Sequence, residues 1–101
     1  MSEQFGQNYE IISVRDFSKT EPFQKLIVDF RRADTLASEI QQYIKNHKKL
    51  RCEVTIGVEL VSLDFINEKN HLTKSVFLTW PMAASIATHH KDLWEKLVSM
   101  S

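Results

Sequence analysis

Two segments in the second half of the chain alternate apolar and polar residues, and their spacing limits how the chain can fold. In "RCEVTIGVELVSLDFI", residues 51–66, most apolar residues recur at every second position, as in a strand with one buried face. The segment "TKSVFLTW", residues 73–80, alternates in the same way, with Val76, Leu78 and Trp80 in phase. The residues "NEKNH" between the segments predict a turn. The two segments are therefore predicted to form an antiparallel hairpin.

The register of this hairpin follows from the apolar pattern. A turn centred near Lys69 places Leu63 opposite Val76. The same register places Val61 opposite Leu78, so the apolar residues of both strands share one face. A shift of one residue would turn the apolar residues of one strand to the opposite face.

The first of these segments changes phase near its middle. From Cys52 to Leu60 the even-numbered apolar residues share one face, whereas from Val61 to Phe65 the odd-numbered residues share the other. Such a slip predicts a β-bulge, or a strand whose two halves are covered from opposite sides.

The first half of the chain predicts a short strand followed by the start of a helix. Residues 1–8 are polar and are expected to be disordered. The segment "YEIISV", residues 9–14, has the composition of a short strand. The segment "SKTEPF", residues 18–23, has capping residues and a proline that are typical of a helix N-terminus.

Helical spacing continues beyond this start. Apolar residues recur at intervals of three and four from Phe23 to Ile44. The pattern predicts one helix from Glu21 to about Lys49, or two helices divided near Asp34, which would then be the N-cap of the second helix.

The residues after Pro81 predict a single C-terminal helix, from Met82 to Met100. Projected at about 100° per residue, its apolar residues cover an arc of about 160°, wider than the roughly 100° that packing on one surface requires. Trp94 and Val98 occupy the far flank of this arc. Two explanations remain open: the helix packs on two sides within the monomer, or the surplus apolar surface docks on a partner.

These elements and the composition indicate one globular α+β domain over residues 1–101, with a small two-layer architecture. Its predicted order is an N-terminal strand, a long helix or helix pair, an antiparallel β-hairpin and a C-terminal helix. Hydrophobic residues make up 43% and charged residues 26% of the chain, as in globular proteins. Thirteen basic and thirteen acidic side chains cancel, so net charge favours neither nucleic acid nor acidic membranes.

The cellular location is predicted from absent signals and from cysteine usage. No apolar run approaches the roughly 18 residues of a membrane span, and the first residues lack the pattern of a signal peptide. Cys52 is the only cysteine, so an internal disulfide is excluded. We therefore expect a cytoplasmic protein.

Motifs for catalysis, metals and cofactors are missing, and we expect no enzymatic activity, no metal and no cofactor. The two glycines, Gly6 and Gly57, are too far apart to build a phosphate-binding loop. His89 and His90 are neighbours on the predicted helix and point about 100° apart, so they do not converge on one metal ion. In the helical projection His90 lies inside the apolar arc and His89 at its boundary.

Three other side chains with reactive potential favour no catalytic role. Cys52 alternates inward on its strand and is expected to be buried and inert. Asp64 and Glu68 flank the predicted turn, where carboxylates are usually solvated instead of enclosed in a cleft.

A basic stretch at the end of the predicted long helix supports an alternative function in binding nucleic acid. If that helix divides near Asp34, its two parts and the hairpin would follow the order of a winged helix, with residues 35–43 as the groove-facing helix. The neutral net charge argues against this alternative, because phosphate binding usually needs a basic domain. The residues that would contact nucleic acid are Arg31, Arg32, Lys45, Lys48, Lys49 and Arg51.

The sequence therefore favours a non-enzymatic protein-binding module, a small intracellular regulator or inhibitor that docks on a partner protein. Large aromatic side chains on a wide apolar arc are typical of interface hot spots, and self-association as a homodimer is one form of such docking. Chains of this kind are also associated with mobile elements, although no motif carries that association. The predicted partner-binding residues are Phe65, Trp80, Trp94 and Val98.

Overall fold

The structure is a computed structural model that describes residues 10–26 and 32–101. These residues form a four-stranded antiparallel sheet and five helices, which confirms the predicted α+β class. None of the described helices is long and apolar enough to cross a membrane. The elements are β1 (Glu10–Ser13), α1 (Val14–Ser18), α2 (Glu21–Gln24), α3 (Ala33–Asn46), β2 (Arg51–Ile56), β3 (Leu60–Ile66), β4 (Leu72–Thr79), α4 (Trp80–His89) and α5 (Lys91–Met100).

The sheet is a meander in which the strands lie in the order β1-β2-β3-β4. The predicted register between β3 and β4 is confirmed: Leu63 pairs with Val76, and Val61 pairs with Leu78. All four side chains are buried against the helices, which is the burial that specifies this register.

The segment 51–66 is two strands, and the prediction of one bulged strand is wrong. The chain reverses after Ile56, where the amide of Gly57 donates to the carbonyl of Leu60 at 2.8 Å. Ile56 then pairs with Val61, five residues later, so the inward-facing positions change from even to odd numbers at the reversal. The phase slip in the sequence is therefore the signature of a tight turn. The register irregularity of this sheet lies elsewhere, between Phe65 and Ile66.

The N-terminal strand is present as β1, and a short helix that the sequence did not indicate follows it directly. Ser13 caps this helix, α1, because its hydroxyl accepts from the amide of Asp16 at 3.0 Å. The next helix, α2, begins after Thr20 with Pro22 in its first turn, where the capping residues predicted a helix start. The predicted disorder of residues 1–8 lies outside the described residues.

The prediction of a single long helix from Glu21 to about Lys49 is also wrong. The chain leaves helical conformation at Lys25, and α3 begins only at Ala33, so the alternative of two helices is the one observed. Asp34 lies in the first turn of α3, whereas the N-cap position belongs to Arg32 and carries no side-chain capping bond. The residues between, 27–31, lie outside the described part of the chain.

The predicted C-terminal helix is broken into α4 and α5. His90 has φ −126° and ψ 59°, outside the helical region, so a projection at constant angle across it is invalid. The predicted helix start near Pro81 is confirmed, since Pro81 lies in the first turn of α4. Thr79 caps this helix, and its hydroxyl accepts from the amide of Met82 at 3.3 Å.

The core lies between one face of the sheet and the helices. Inward-facing residues of β2, β3 and β4 pack there against α1, α3, α4 and α5. Because strand residues alternate between faces, the intervening residues of the same strands point away from the helices. The fully buried members of this core include Phe17, Ile40, Cys52, Val54, Val61, Leu63, Phe65, Leu78, Ile86 and Leu97.

Candidate functional site

The face of the sheet that points away from the described helices is the candidate functional site. Two rows of directly paired residues cross it from strand to strand. One row places hydroxyls between two exposed apolar side chains, and the other centres on a carboxylate. We call this surface the open face, and its residues are Ile11, Thr55, Ser62 and Phe77 in the first row and Glu53, Asp64 and Ser75 in the second.

Asp64 is the centre of a hydrogen-bond network that joins three strands. Its Oδ1 accepts from the hydroxyls of Ser62 at 2.6 Å and Ser75 at 2.8 Å. Its Oδ2 accepts from the hydroxyl of Thr55 at 2.6 Å. The two bonds of 2.6 Å lie within the range of about 2.5–2.7 Å that is typical of hydroxyl donors to a carboxylate, and such bonds are stronger than bonds between neutral groups.

The sheet register brings these four side chains together. Asp64 is directly opposite Ser75 on β4, and Thr55 on β2 is directly opposite Ser62 on β3. All four are only half-buried, because no described helix covers this side of the sheet. Each strand contributes a polar residue at an outward position and apolar residues inward, so one pattern of alternation builds both the core and the network.

A cavity of about 510 Å³ lies over this network. Phe77 on β4 and the β2–β3 turn, with Val58 and Leu60, provide its apolar lining, while Asp64 and its hydroxyl donors form a polar part. Its size lies within the range of about 300–1,000 Å³ that binding pockets occupy, and an apolar wall with a few convergent polar groups is typical of such pockets.

The apolar residues around the network are unusually exposed. Among the residues that line the cavity, Phe77 is 63%, Val58 61% and Leu60 49% exposed, and Ile11, opposite Thr55 on β1, is 70% exposed. Single exposed apolar residues are ordinary, whereas several gathered around one cavity indicate a contact surface.

Charges on the open face are mainly negative. Asp64 and Glu59 line the cavity, and Glu53 lies next to Asp64 on the neighbouring strand. On the same strand face as Glu53, the guanidinium of Arg51 forms an ion pair with the Glu53 carboxylate at 3.2 Å. Lys74 on β4 lies instead with its ammonium 5.4 Å from the centroid of the Tyr43 ring. The face therefore presents carboxylates and apolar groups together.

The aromatic residues predicted to bind a partner are part of the domain's own packing. Trp94 is 7% exposed and stacks on Phe23, with ring centroids 5.7 Å apart. Trp80 packs against Phe17 at 5.3 Å, and Phe65 is fully buried. Packing within the monomer, one of the two explanations left open by the sequence, therefore accounts for the aromatic residues of the wide apolar arc.

Val98, the fourth predicted partner-binding residue, is half-buried and packs against the core. Its position on α5 leaves part of its side chain accessible, but the aromatic neighbours that made this helix resemble a hot spot face inward. In the described part of the chain, the large apolar side chains that are exposed lie on the sheet strands and the β2–β3 turn.

The residues predicted to bind nucleic acid are partly neutralised by acids. The ammonium of Lys49 lies 3.7 Å from a carboxylate oxygen of Glu68, and Arg51 contacts both Glu53 and Asn70. The remaining described members of that set, Arg32, Lys45 and Lys48, are exposed, while Arg31 lies outside the described residues.

The arrangement also differs from a winged helix. The predicted wing, β3 and β4, belongs to a four-stranded sheet whose inner face packs on the helices. The predicted groove-facing segment, residues 35–43, lies within α3 and uses Ala37 and Ile40 for the core.

The adjacent histidines do not come together. Nε2 of His90 lies 2.7 Å from Oδ1 of Asp34, so this side chain joins the α4–α5 break to the start of α3. His89 is exposed on the last turn of α4. Within residues 10–26 and 32–101, no three His, Cys, Asp or Glu side chains are grouped closely enough to hold a metal ion.

Cys52 is buried, as predicted. Burial, with additional contributions from the charges of Asp64 and Glu53, raises the pKa of its thiol from 9.0 to about 12. The thiolate, which is the nucleophilic form, is therefore scarce at neutral pH.

Part of the Asp64 network could be predicted from the sequence. The predicted hairpin register already implies that Asp64 is opposite Ser75. Thr55 was missed because its contribution depends on the chain reversal after Ile56, which was not predicted. Comparison with protein-family models, curated proteins and solved structures gives no significant match to this chain.

Proposed function

We propose that this protein is a non-enzymatic protein-binding module, a small regulator or inhibitor that docks a partner protein on its open face. The observation that carries the proposal is the group of exposed apolar side chains around the Asp64 cavity. Val58 and Phe77, which line the cavity, and Ile11, which is opposite Thr55 on β1, each expose more than half of their surface. Several exposed apolar side chains on one surface are costly to leave in water and are typical of an interaction site.

The partner surface should carry apolar side chains together with positive charge, because Asp64 and Glu59 line the cavity. Such a partner would be attracted electrostatically and would also remove Phe77 and Val58 from water. A second copy of this chain fits less well. Stacking two open faces would bring the carboxylates of both copies together, and like charges in an interface cost free energy.

Binding, in preference to catalysis, is supported by the chemistry of the reactive side chains. The only cysteine is buried, with the pKa of its thiol raised to about 12, and therefore lacks nucleophilic character. A single buried thiol is also compatible with a reducing compartment, and we place the protein in the cytoplasm within this proposal.

Nucleic-acid binding lacks comparable support. The open face is acidic, so it would repel phosphate groups. Lys49 and Arg51 are already paired with Glu68 and Glu53, which reduces the positive charge that the basic stretch can offer.

The experiment compares two substitutions of equally exposed apolar residues on β4. Phe77→Ser changes the open face, whereas Leu72→Ser changes a residue that is 61% exposed at the other end of β4, outside the cavity lining. Proteins retained from a lysate of the native host by the parent chain are purified, and their affinities for parent and variants are measured by calorimetry.

For the genuine partner, we expect Phe77→Ser to weaken binding by about tenfold or more, and Leu72→Ser by less than about twofold. Equal losses for the two variants, or unchanged affinity of every retained protein for Phe77→Ser, would contradict the proposal. Concentration-dependent dimerisation of the parent that Phe77→Ser abolishes would assign the open face to a second copy instead.

A further inference from the structure

We infer, on the basis of the proposed function, that the partner inserts a lysine side chain into the cavity and that its ammonium group binds at Asp64. Some hydrogen-bonding positions of the Asp64 network are already used, and those that remain free restrict which chemical group the open face can recognise.

The carboxylate has little acceptor capacity left. An ionised carboxylate offers roughly four lone-pair positions, two on each oxygen. Ser62 and Ser75 both donate to Oδ1, so that oxygen is saturated. Among the described residues only Thr55 donates to Oδ2, which leaves one position on this oxygen for an additional donor.

The three hydroxyls add acceptors of their own. A hydroxyl that donates its single hydrogen to Asp64 retains two lone pairs. The other two hydroxyls cannot donate to these lone pairs, because their own hydrogens are already bound to Asp64. Thr55, Ser62 and Ser75 line the cavity, so their hydroxyl oxygens can offer acceptors to a group bound there. The floor of the cavity combines a negative charge, one free carboxylate position and hydroxyl oxygens, which is the complement of a group that only donates.

An ammonium group matches this floor better than a guanidinium group. Arginine binds a carboxylate best through two parallel N–H donors, one to each oxygen. At Asp64 this mode would displace the hydroxyl of Ser62 or Ser75 from Oδ1. A lysine ammonium is a compact charge with three rotatable donors, so one can reach Oδ2 and the others can reach hydroxyl oxygens without displacement.

The cavity walls suit the remainder of a lysine side chain. Val58, Leu60 and Phe77 line the cavity beside the polar floor. The four methylene groups of lysine can pack on such apolar surface while the charged end reaches a polar group. Glu59, on the turn at the cavity rim, adds a second negative charge that favours a cationic side chain.

The experiment uses the full chain and peptides in place of the unidentified partner. Random twelve-residue peptides are selected by phage display on the immobilised chain, and the consensus peptide is synthesised with lysine, norleucine or arginine at the most selected position. Titrations followed by amide NMR signals give the affinity of each peptide, and the signals of Thr55, Ser62 and Ser75 show whether it binds at the cavity.

We expect the selected position to be lysine, with affinity reduced about tenfold or more by norleucine, because the charge-assisted bond is lost. Arginine should also weaken binding, and Asp64→Asn should remove the preference for lysine over norleucine. The comparison of the three peptides on the parent chain stands without the variant, should Asp64→Asn fail to fold.

Other outcomes overturn the inference. If the lysine peptide and the norleucine peptide bind at the cavity with equal affinity, the cation has no role, although the proposed function is not contradicted. Selected peptides that all bind elsewhere would contradict the inference, while the comparison of Phe77→Ser with Leu72→Ser separately decides the proposed function. Saturation of the cavity signals by n-butylamine alone, at concentrations similar to those of the peptide, would assign the site to a free amine.

Discussion

Asp64 and Ser75 lie directly opposite each other on β3 and β4, and the Ser75 hydroxyl donates to Oδ1 of Asp64 at 2.8 Å. The same carboxylate also accepts from Thr55 on β2, so one side chain ties together the three strands that enclose the core. This arrangement links the stability of the sheet to the polar floor of the cavity on the open face.

The hydrogen bond from Thr55 should contribute measurably to stability. Thr55→Val keeps the shape and the strand preference of the side chain but removes the donor to Asp64. We expect the free energy of unfolding to fall by about 1–2 kcal/mol, since a bond to a charged group is lost at a half-buried site. Urea titration measures the loss. In the double variant with Asp64→Asn the two effects should not add, and full additivity would show that the pair is not coupled.

The pH dependence of stability should carry a contribution from Cys52. Burial raises the pKa of its thiol in the folded protein from 9.0 to about 12. Between these two values the unfolded chain has lost the proton that the folded chain retains, so stability should fall as pH rises above about 9. Chemical denaturation of the parent and Cys52→Ala, at several values from pH 8 to about pH 10.5, should show a steeper decline for the parent. Parallel declines would contradict this assignment.

Substitution of Trp94 should change the free energy of unfolding much more than substitution of Phe77. Trp94 is buried against Phe23, so Trp94→Ala should lower the free energy of unfolding by about 3–5 kcal/mol through lost burial and a cavity. Phe77 is exposed on the open face, so Phe77→Ser should change it by less than about 1 kcal/mol. Thermal and urea unfolding test both. A loss of stability of less than about 1 kcal/mol for Trp94→Ala would contradict the burial of this residue and would favour its predicted role in partner binding.

The turn between α3 and β2 should be improved by glycine at one position only. Lys49 has φ 59°, in the left-handed region, which costs about 1 kcal/mol or more for a residue with a Cβ atom. Lys49→Gly should therefore raise the free energy of unfolding by up to about 1 kcal/mol, after the entropic cost of glycine. Its ion pair with Glu68 is exposed and contributes little.

The matched control is the neighbouring lysine. Lys48 does not have a positive φ, so glycine relieves no strain there. Lys48→Gly should therefore lower the free energy of unfolding by about 0.5–1 kcal/mol through unfolded-state entropy alone. Unfolding curves of both variants at equal pH and salt give the comparison. A gain for Lys48→Gly equal to that for Lys49→Gly would mean that backbone strain at Lys49 is not the cause.

Part of the candidate site was predictable from local pattern. The alternation around Val61 and Leu78 specifies the β3–β4 register, and this register alone sets Asp64 opposite Ser75. The third strand was not predictable in the same way, because a phase slip at residues 57–60 is compatible with a bulge and with a reversal. The amide of Gly57 and the carbonyl of Leu60 distinguish them by bonding across the turn.

The helices also combine features that local sequence predicts with features that depend on distant contacts. Thr20 and Thr79 hold the N-cap positions of α2 and α4, and in both helices a proline follows in the first turn, a signal that acts within a few residues. The break at His90 carries no such local signal. Its side chain contacts Asp34, 56 residues away in the chain, so its position depends on how α3 and α4 pack.

Alternation of residue type and helix-start signals determined the α+β class, the hairpin register and the burial of Cys52, since each depends on neighbours in the chain or on a preference for burial. Contacts between distant segments determined which apolar residues were covered. Trp94 packs against Phe23 and leaves the surface, while Phe77 remains exposed beside Asp64. A sequence pattern states that a side chain is apolar, but only the packing of whole elements decides whether water or protein surrounds it.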